Sequence, residues 1–166
     1  MTGSQKILLS GGLALAILGM AYGFWYAVVD EHPTLERMGV SLASAFAEVA
    51  KGEMEQASES LETYGETRFE YIREVHFHGH LVALSTLLLV LGLFFNLLAF
   101  SERVRLYLAS ILVFGTAAMP LGSLLEIVLA GPVPMAVALL GTVAIIGGLG
   151  AVAAGFLLSY ERSRGD

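Results

Sequence analysis

The sequence predicts an all-α membrane protein, a single membrane domain over residues 1–166 with four transmembrane helices and an extracytoplasmic helical hairpin between helices 1 and 2. Three observations predict it. The composition is 56% hydrophobic and only 14% charged, with mean hydropathy +0.74, where a soluble domain carries roughly 25% charged residues. Four apolar stretches, 7–29, 77–100, 106–129 and 135–160, are each long enough for a bilayer core of about 30 Å at about 1.5 Å of helix rise per residue. Between the first two lies a polar stretch, 30–76, whose apolar residues recur at helical spacing.

The first stretch is expected to be retained as a span. Its apolar run is long for a signal peptide, Lys6 is the only basic residue before it, and no A-x-A cleavage site follows. In the hairpin segment, Pro33 suits a first helical turn. Leu35, Met38, Leu42, Ala45 or Phe46, and Val49 then mark one apolar face. After 51–53 the pattern restarts at Met54, Ala57, Leu61, Tyr64, Arg68, Tyr71 and Val75, with a break in apolar character at Arg68. The second helix meets no strong breaker before Leu81, since Gly79 alone is weak, so it is free to run into the second span.

Charge sets the orientation. Lys6, Arg103, Arg105, Arg162 and Arg164 share one side of a four-span chain, whereas the 30–75 segment carries four basic and eleven acidic residues. The positive-inside rule then places both termini in the cytoplasm of a plasma membrane of the bacterial inner-membrane kind, with the acidic segment outside. The net charge of −6 without a basic cluster excludes nucleic acid as a partner. The absence of cysteine excludes disulfides, thiolate metal sites and covalent c-type haem. Any metal or haem must use His, Met or carboxylate.

Three of the four histidines, His76, His78 and His80, fall within five residues at the outer end of the second span. On a helix His76 and His80 share a face, while His78 points about 200° from His76 and follows the inward seam from Leu61 to Val75. Ionisable groups at membrane depth are costly and face a cavity or a partner. His32, just beyond span one, and Glu126, one turn before the outer end of span three, fall at the same level. Glu126 is the sole acidic residue in the last three spans and needs a partner, for which a histidine is the expected candidate. Met119, beside Pro120, offers a thioether.

The expected function is therefore a small redox-type membrane subunit that transfers electrons. A haem b would use His78 or His80, with Met119, His32 or a neighbouring subunit as the second axial ligand. Copper, or alternatively zinc, would gather His76 and His80 with His32 or Glu126. The His78-Gly79-His80-Leu81 run at the head of an apolar helix resembles a haem-bearing helix of small membrane haem proteins over a short stretch, and no family follows from it. Interfacial histidines that simply meet water or lipid headgroups are the plain alternative. In that case the chain is a cofactor-free structural or assembly subunit of a larger complex.

Glutamates 55, 59, 62, 66, 70 and 74 line the polar side of the second hairpin helix. They form either a solvated face or a docking surface for a soluble electron carrier. Small residues at four-residue spacing, Gly19/Gly23, Ala118/Gly122 and Gly147/Ala151/Gly155, predict close helix packing within the chain, in a homo-oligomer or against other membrane subunits. No nucleophile arrangement or nucleotide loop is present, and the later spans offer too few polar residues to line a channel.

Overall fold

A computed structural model describes residues 1–129 and 131–165, and 93% of the chain is helix. The elements are α1 (Gly3–Val29), α2 (Glu31–Lys51), α3 (Met54–Phe94), a 3-10 turn (Phe95–Leu97), α4 (Glu102–Val128) and α5 (Pro132–Gly165). Four of these helices are long and apolar enough to cross a membrane, consistent with an integral membrane protein in a lipid bilayer.

α1 and α2 are nearly one helix. Asp30 N–H still donates to the Tyr26 carbonyl (2.9 Å), and Thr34 N–H donates to the Asp30 carbonyl (3.1 Å). Pro33 has no N–H to offer Val29 four residues back, so the ladder breaks locally and Asp30 relaxes to φ −117°, ψ −26°. Chain reversal comes at Gly52, whose φ of +83° is the left-handed conformation that glycine adopts without a Cβ penalty. α3 then runs unbroken for 41 residues, about 61 Å at 1.5 Å per residue. Its far half packs along α1 and its near half along α2.

The α2–α3 contact is made by small side chains. Thr34, Ser41 and Ala45 are buried on α2, and Ala57 and Thr67 on α3. Ser60 Oγ donates to Glu48 across the pair (2.8 Å). Of the apolar face expected on α2, Ala45 is buried and Met38 and Leu42 are half-buried, but Leu35, Phe46 and Val49 are exposed. Small residues permit a close backbone approach, and the bulky ones then flank the contact instead of entering it.

Glycine contacts fix the register of the remaining helices. A Cβ at Gly12 would meet Leu88, one at Gly19 would meet Leu81 and Val82, and one at Gly23 would meet His78, which sets α1 antiparallel to α3. On the other side, Gly122 abuts Ala138, and Gly141 abuts the Met119 backbone, which locks α4 to α5. Of the small-residue pairs expected from spacing, Gly147 faces open space. The seam of α5 instead runs through Gly141, Ile145, Gly148, Val152 and Gly155. Leu8, Leu88, Phe95, Leu98, Ala109, Leu112 and Val152 form the buried cluster near the α3–α4 connection.

That connection is tied down by polar groups. Ser4 donates to the Glu102 carboxylate from both its N–H (2.8 Å) and its hydroxyl (3.2 Å), and Arg105 holds Glu102 (3.2 Å) and the Asn96 carbonyl (2.8 Å). A Thr2–Gln5 capping box closes the start of α1.

Candidate functional site

The candidate site lies where α2 leaves the four-helix region. An ion pair between Arg73 of α3 and Glu126 of α4 marks this level, and Ile127 lies beside Phe69 and Glu70 of α3. α4 ends at Val128, so the half of α3 before Arg73, with α2 beside it, extends past the end of α4. The histidines lie about 5–11 Å further along α3 from Arg73, towards the middle of the bundle, at 1.5 Å per residue. The hydropathy onset at Phe77 places the expected membrane boundary at this level. Arg73 is paired with Glu126, and its guanidinium lies 5.0 Å from the centroid of the Phe69 ring.

Glu126 therefore has an arginine partner, not a histidine. Sequence spacing missed Arg73 because the pairing crosses between two helices, but a lone glutamate in one span and an arginine near the end of another is the available signal.

The histidines separate onto two faces of α3, as their angular spacing predicts. His78 is half-buried between α3 and α1: a Cβ at Gly23 would lie 3.0 Å from its Cδ2, and its Nδ1 sits 3.3 Å from the Glu74 carbonyl oxygen. His76 and His80 are exposed on a different face of α3, with ring centroids 5.6 Å apart. Met119 belongs to the α4–α5 contact, its backbone against Gly141 of α5, whereas His78 packs against Gly23 of α1. His32 is exposed at the start of α2. Among the described residues no group of three His, Asp or Glu side chains is positioned to hold a metal ion, so neither His32 nor Glu126 completes a set with His76 and His80.

The aromatic residues sort by depth and by face. Phe24 is 73% exposed, whereas Tyr26, two residues on, is 2% exposed, with its ring 6.4 Å from Tyr71 and its hydroxyl without a partner among the described residues. Tyr22 packs edge-on against Phe77 (4.7 Å) and lies 5.7 Å from Trp25. These three rings border a cavity of about 500 Å³ between α1, α3 and α4.

Comparison of the chain with protein-family models, with curated proteins and with solved structures finds no match to any of them. The functional reading rests on the chemistry of the residues themselves.

Proposed function

We propose that this protein is a membrane redox subunit that holds a copper ion at His76 and His80, with the remaining ligands coming from a neighbouring subunit. One observation carries the reading, the 5.6 Å separation of the two imidazole rings one helical turn apart on an exposed face. Imidazole nitrogen binds such metals at about 2.0–2.1 Å, which places two ring centroids bound to one ion about 5–6 Å apart at tetrahedral or trigonal angles. An i, i+4 histidine pair on one helix face is a recurrent metal-binding unit. Two side chains that are exposed at membrane depth also gain from being covered by a second copy or another membrane subunit.

Haem b is the weaker form of this proposal. His78, the inward histidine, is pressed against the α1 backbone at Gly23, and Met119 belongs to the α4–α5 contact. In the orientation set by the basic residues, with both termini in the cytoplasm of a bacterial-type plasma membrane, α2 and the near half of α3 form an extracytoplasmic hairpin. Its glutamates then face a basic soluble electron carrier.

The test is copper loading of detergent-purified protein, read by electron paramagnetic resonance. The expected signal shows nitrogen superhyperfine structure that is lost in His76→Ala and in His80→Ala and kept in His78→Ala. Equal copper binding in a His76/His80 double alanine variant overturns the assignment.

A second reading has its own observation. α3 is about twice as long as the hydrocarbon core is thick, and the segment beyond α4 exposes Leu35, Phe46, Val49, Met54 and Leu61. These features support a cofactor-free assembly subunit whose arm docks larger membrane partners. Stable co-purifying subunits without metal favour this reading.

A further inference from the structure

Glu70 and Glu74 differ from the other glutamates of α3. Glu55, Glu59, Glu62 and Glu66 are exposed, whereas Glu70 and Glu74 are half-buried on the seam that runs from Thr67 through Tyr71 to His78 and Leu81. The register set by Gly19 against Val82 and Gly23 against His78 brings this turn of α3 level with Asp30, at the joint between α1 and α2. Asp30 and Glu31 are half-buried there as well. Four carboxylates, two from the joint and two from α3, thus collect at one level. None has an ion-pair partner among the described residues, whose ion pairs are Lys51–Glu53, Arg73–Glu126 and Arg105–Glu102. The cation whose charge reaches Glu74 is Arg37, which is exposed and donates to the Thr34 hydroxyl (3.1 Å).

A buried hydroxyl meets the same charges. Tyr26 is 2% exposed, and its phenol has no hydrogen-bond partner among the described residues. The groups whose charge reaches that phenol are Glu74, Tyr71, Glu31 and Asp30. Buried polar groups are almost always paired, so an orphan points to a missing partner. Water would pair the phenol but leave the carboxylates repelling one another across the joint, whereas a cation answers both. Carboxylate and phenol oxygens are hard donors, which select a calcium-type ion over copper or zinc. Among the described residues no three acidic or histidine side chains already converge on one point, so the site rests on two carboxylates, the phenol and water. Calcium tolerates such irregular, partly hydrated geometry, whereas magnesium demands a near-regular octahedron. We propose that Asp30, Glu74 and the Tyr26 hydroxyl bind a calcium-type divalent cation that ties the α1–α2 joint to α3. Glu31 and Glu70 add negative charge around it. The site lies on a different face of α3 from His76 and His80 and stands independently of the copper proposal.

The experiment titrates terbium(III), a calcium stand-in whose emission is sensitised by nearby tyrosine, into full-length protein in phosphatidylcholine nanodiscs. The expected result is saturable emission that calcium displaces, with terbium half-saturation raised about tenfold or more in Asp30→Asn and in Glu74→Gln. Tyr26→Phe keeps the buried ring and leaves Tyr71 as sensitiser, and it should weaken binding by about threefold or more. A Glu59→Gln/Glu62→Gln variant, altered only on the exposed face of α3, should bind as wild type does. Both amide variants at the joint relieve repulsion and so fold without the ion; circular dichroism verifies this, and either one suffices for the comparison. Emission unchanged in the folded amide variants overturns the proposal. Equal loss in the Glu59→Gln/Glu62→Gln variant overturns it too, since the ion then sits on the exposed glutamates. Emission that millimolar calcium does not displace reflects an adventitious ion only, and likewise overturns it.

Discussion

Replacing Gly122 by alanine puts a methyl group where the α5 backbone already is. The added Cβ would lie 2.7 Å from Ala138 Cα and 2.8 Å from its Cβ, with the Ala138 nitrogen closer still. Carbon atoms rest at about 3.5–4.0 Å, so α4 and α5 must separate by about 1 Å at this point. In a bilayer such contacts are held by dispersion, not by hydrophobic transfer. A 1 Å gap forfeits a quarter to a half of each affected contact, and overpacking of this kind costs about 1–3 kcal/mol. Gly141→Ala presses in the same way from α5, at 2.8 Å from Met119 Cα and 2.9 Å from its Cβ.

We expect each single variant to lose about 2 kcal/mol in reversible detergent unfolding followed by circular dichroism. The double variant should lose about 3 kcal/mol and not the sum, because a gap opened at one contact relieves the other one turn away. Gly147→Ala is the control. Nothing lies within 4 Å of its added Cβ, so it should shift stability by no more than about 0.5 kcal/mol, and upward through helix propensity. The reasoning is refuted if Gly122→Ala matches Gly147→Ala, or if the two close-contact variants add fully.

Two further outcomes follow from single contacts. Glu126→Gln and Arg73→Met should each cost about 1–2 kcal/mol in the same assay, discounted because the side chains are 23% and 30% exposed. Their double variant should recover part of that loss, and strict additivity would show that the pair is not coupled. Gly52→Ala meets no neighbouring atom, but it must hold φ +83°. It should lower the local opening free energy of the Gly52 turn by about 1 kcal/mol in amide hydrogen exchange, while Gly39→Ala in mid-helix leaves it unchanged.

Hydropathy and helical spacing were enough to read the all-helical class, the four apolar helices and the division of the histidines, because each is a property of one helix seen along its own axis. The 3.6-residue period alone separates His78 from the His76/His80 face. The same period misread parts of α2 and α5. In α2 the bulky residues Leu35, Phe46 and Val49 looked like the packing face, but Thr34, Ser41 and Ala45 took the contact because small side chains bring two backbones together. In α5 the four-residue rule selected Gly147, whereas the seam through Gly141 and Gly148 follows the alternating three and four spacing of the buried face.

The sequence by itself determined where apolar character begins and ends, that cysteine chemistry is absent, and that histidine is concentrated in one turn of one helix. Tertiary structure decided what those residues meet. It gave Glu126 an arginine from another helix, set His78 against the α1 backbone, and left Met119 at the α4–α5 contact. It also gathered Tyr22, Trp25 and Phe77 from two helices around a hollow left by Ala21 and Ala117. The physical reason is range. Periodicity and hydropathy act within a turn or two of chain, whereas ion pairs, close backbone contacts and cavities arise from residues dozens of positions apart, whose meeting depends on the register between helices.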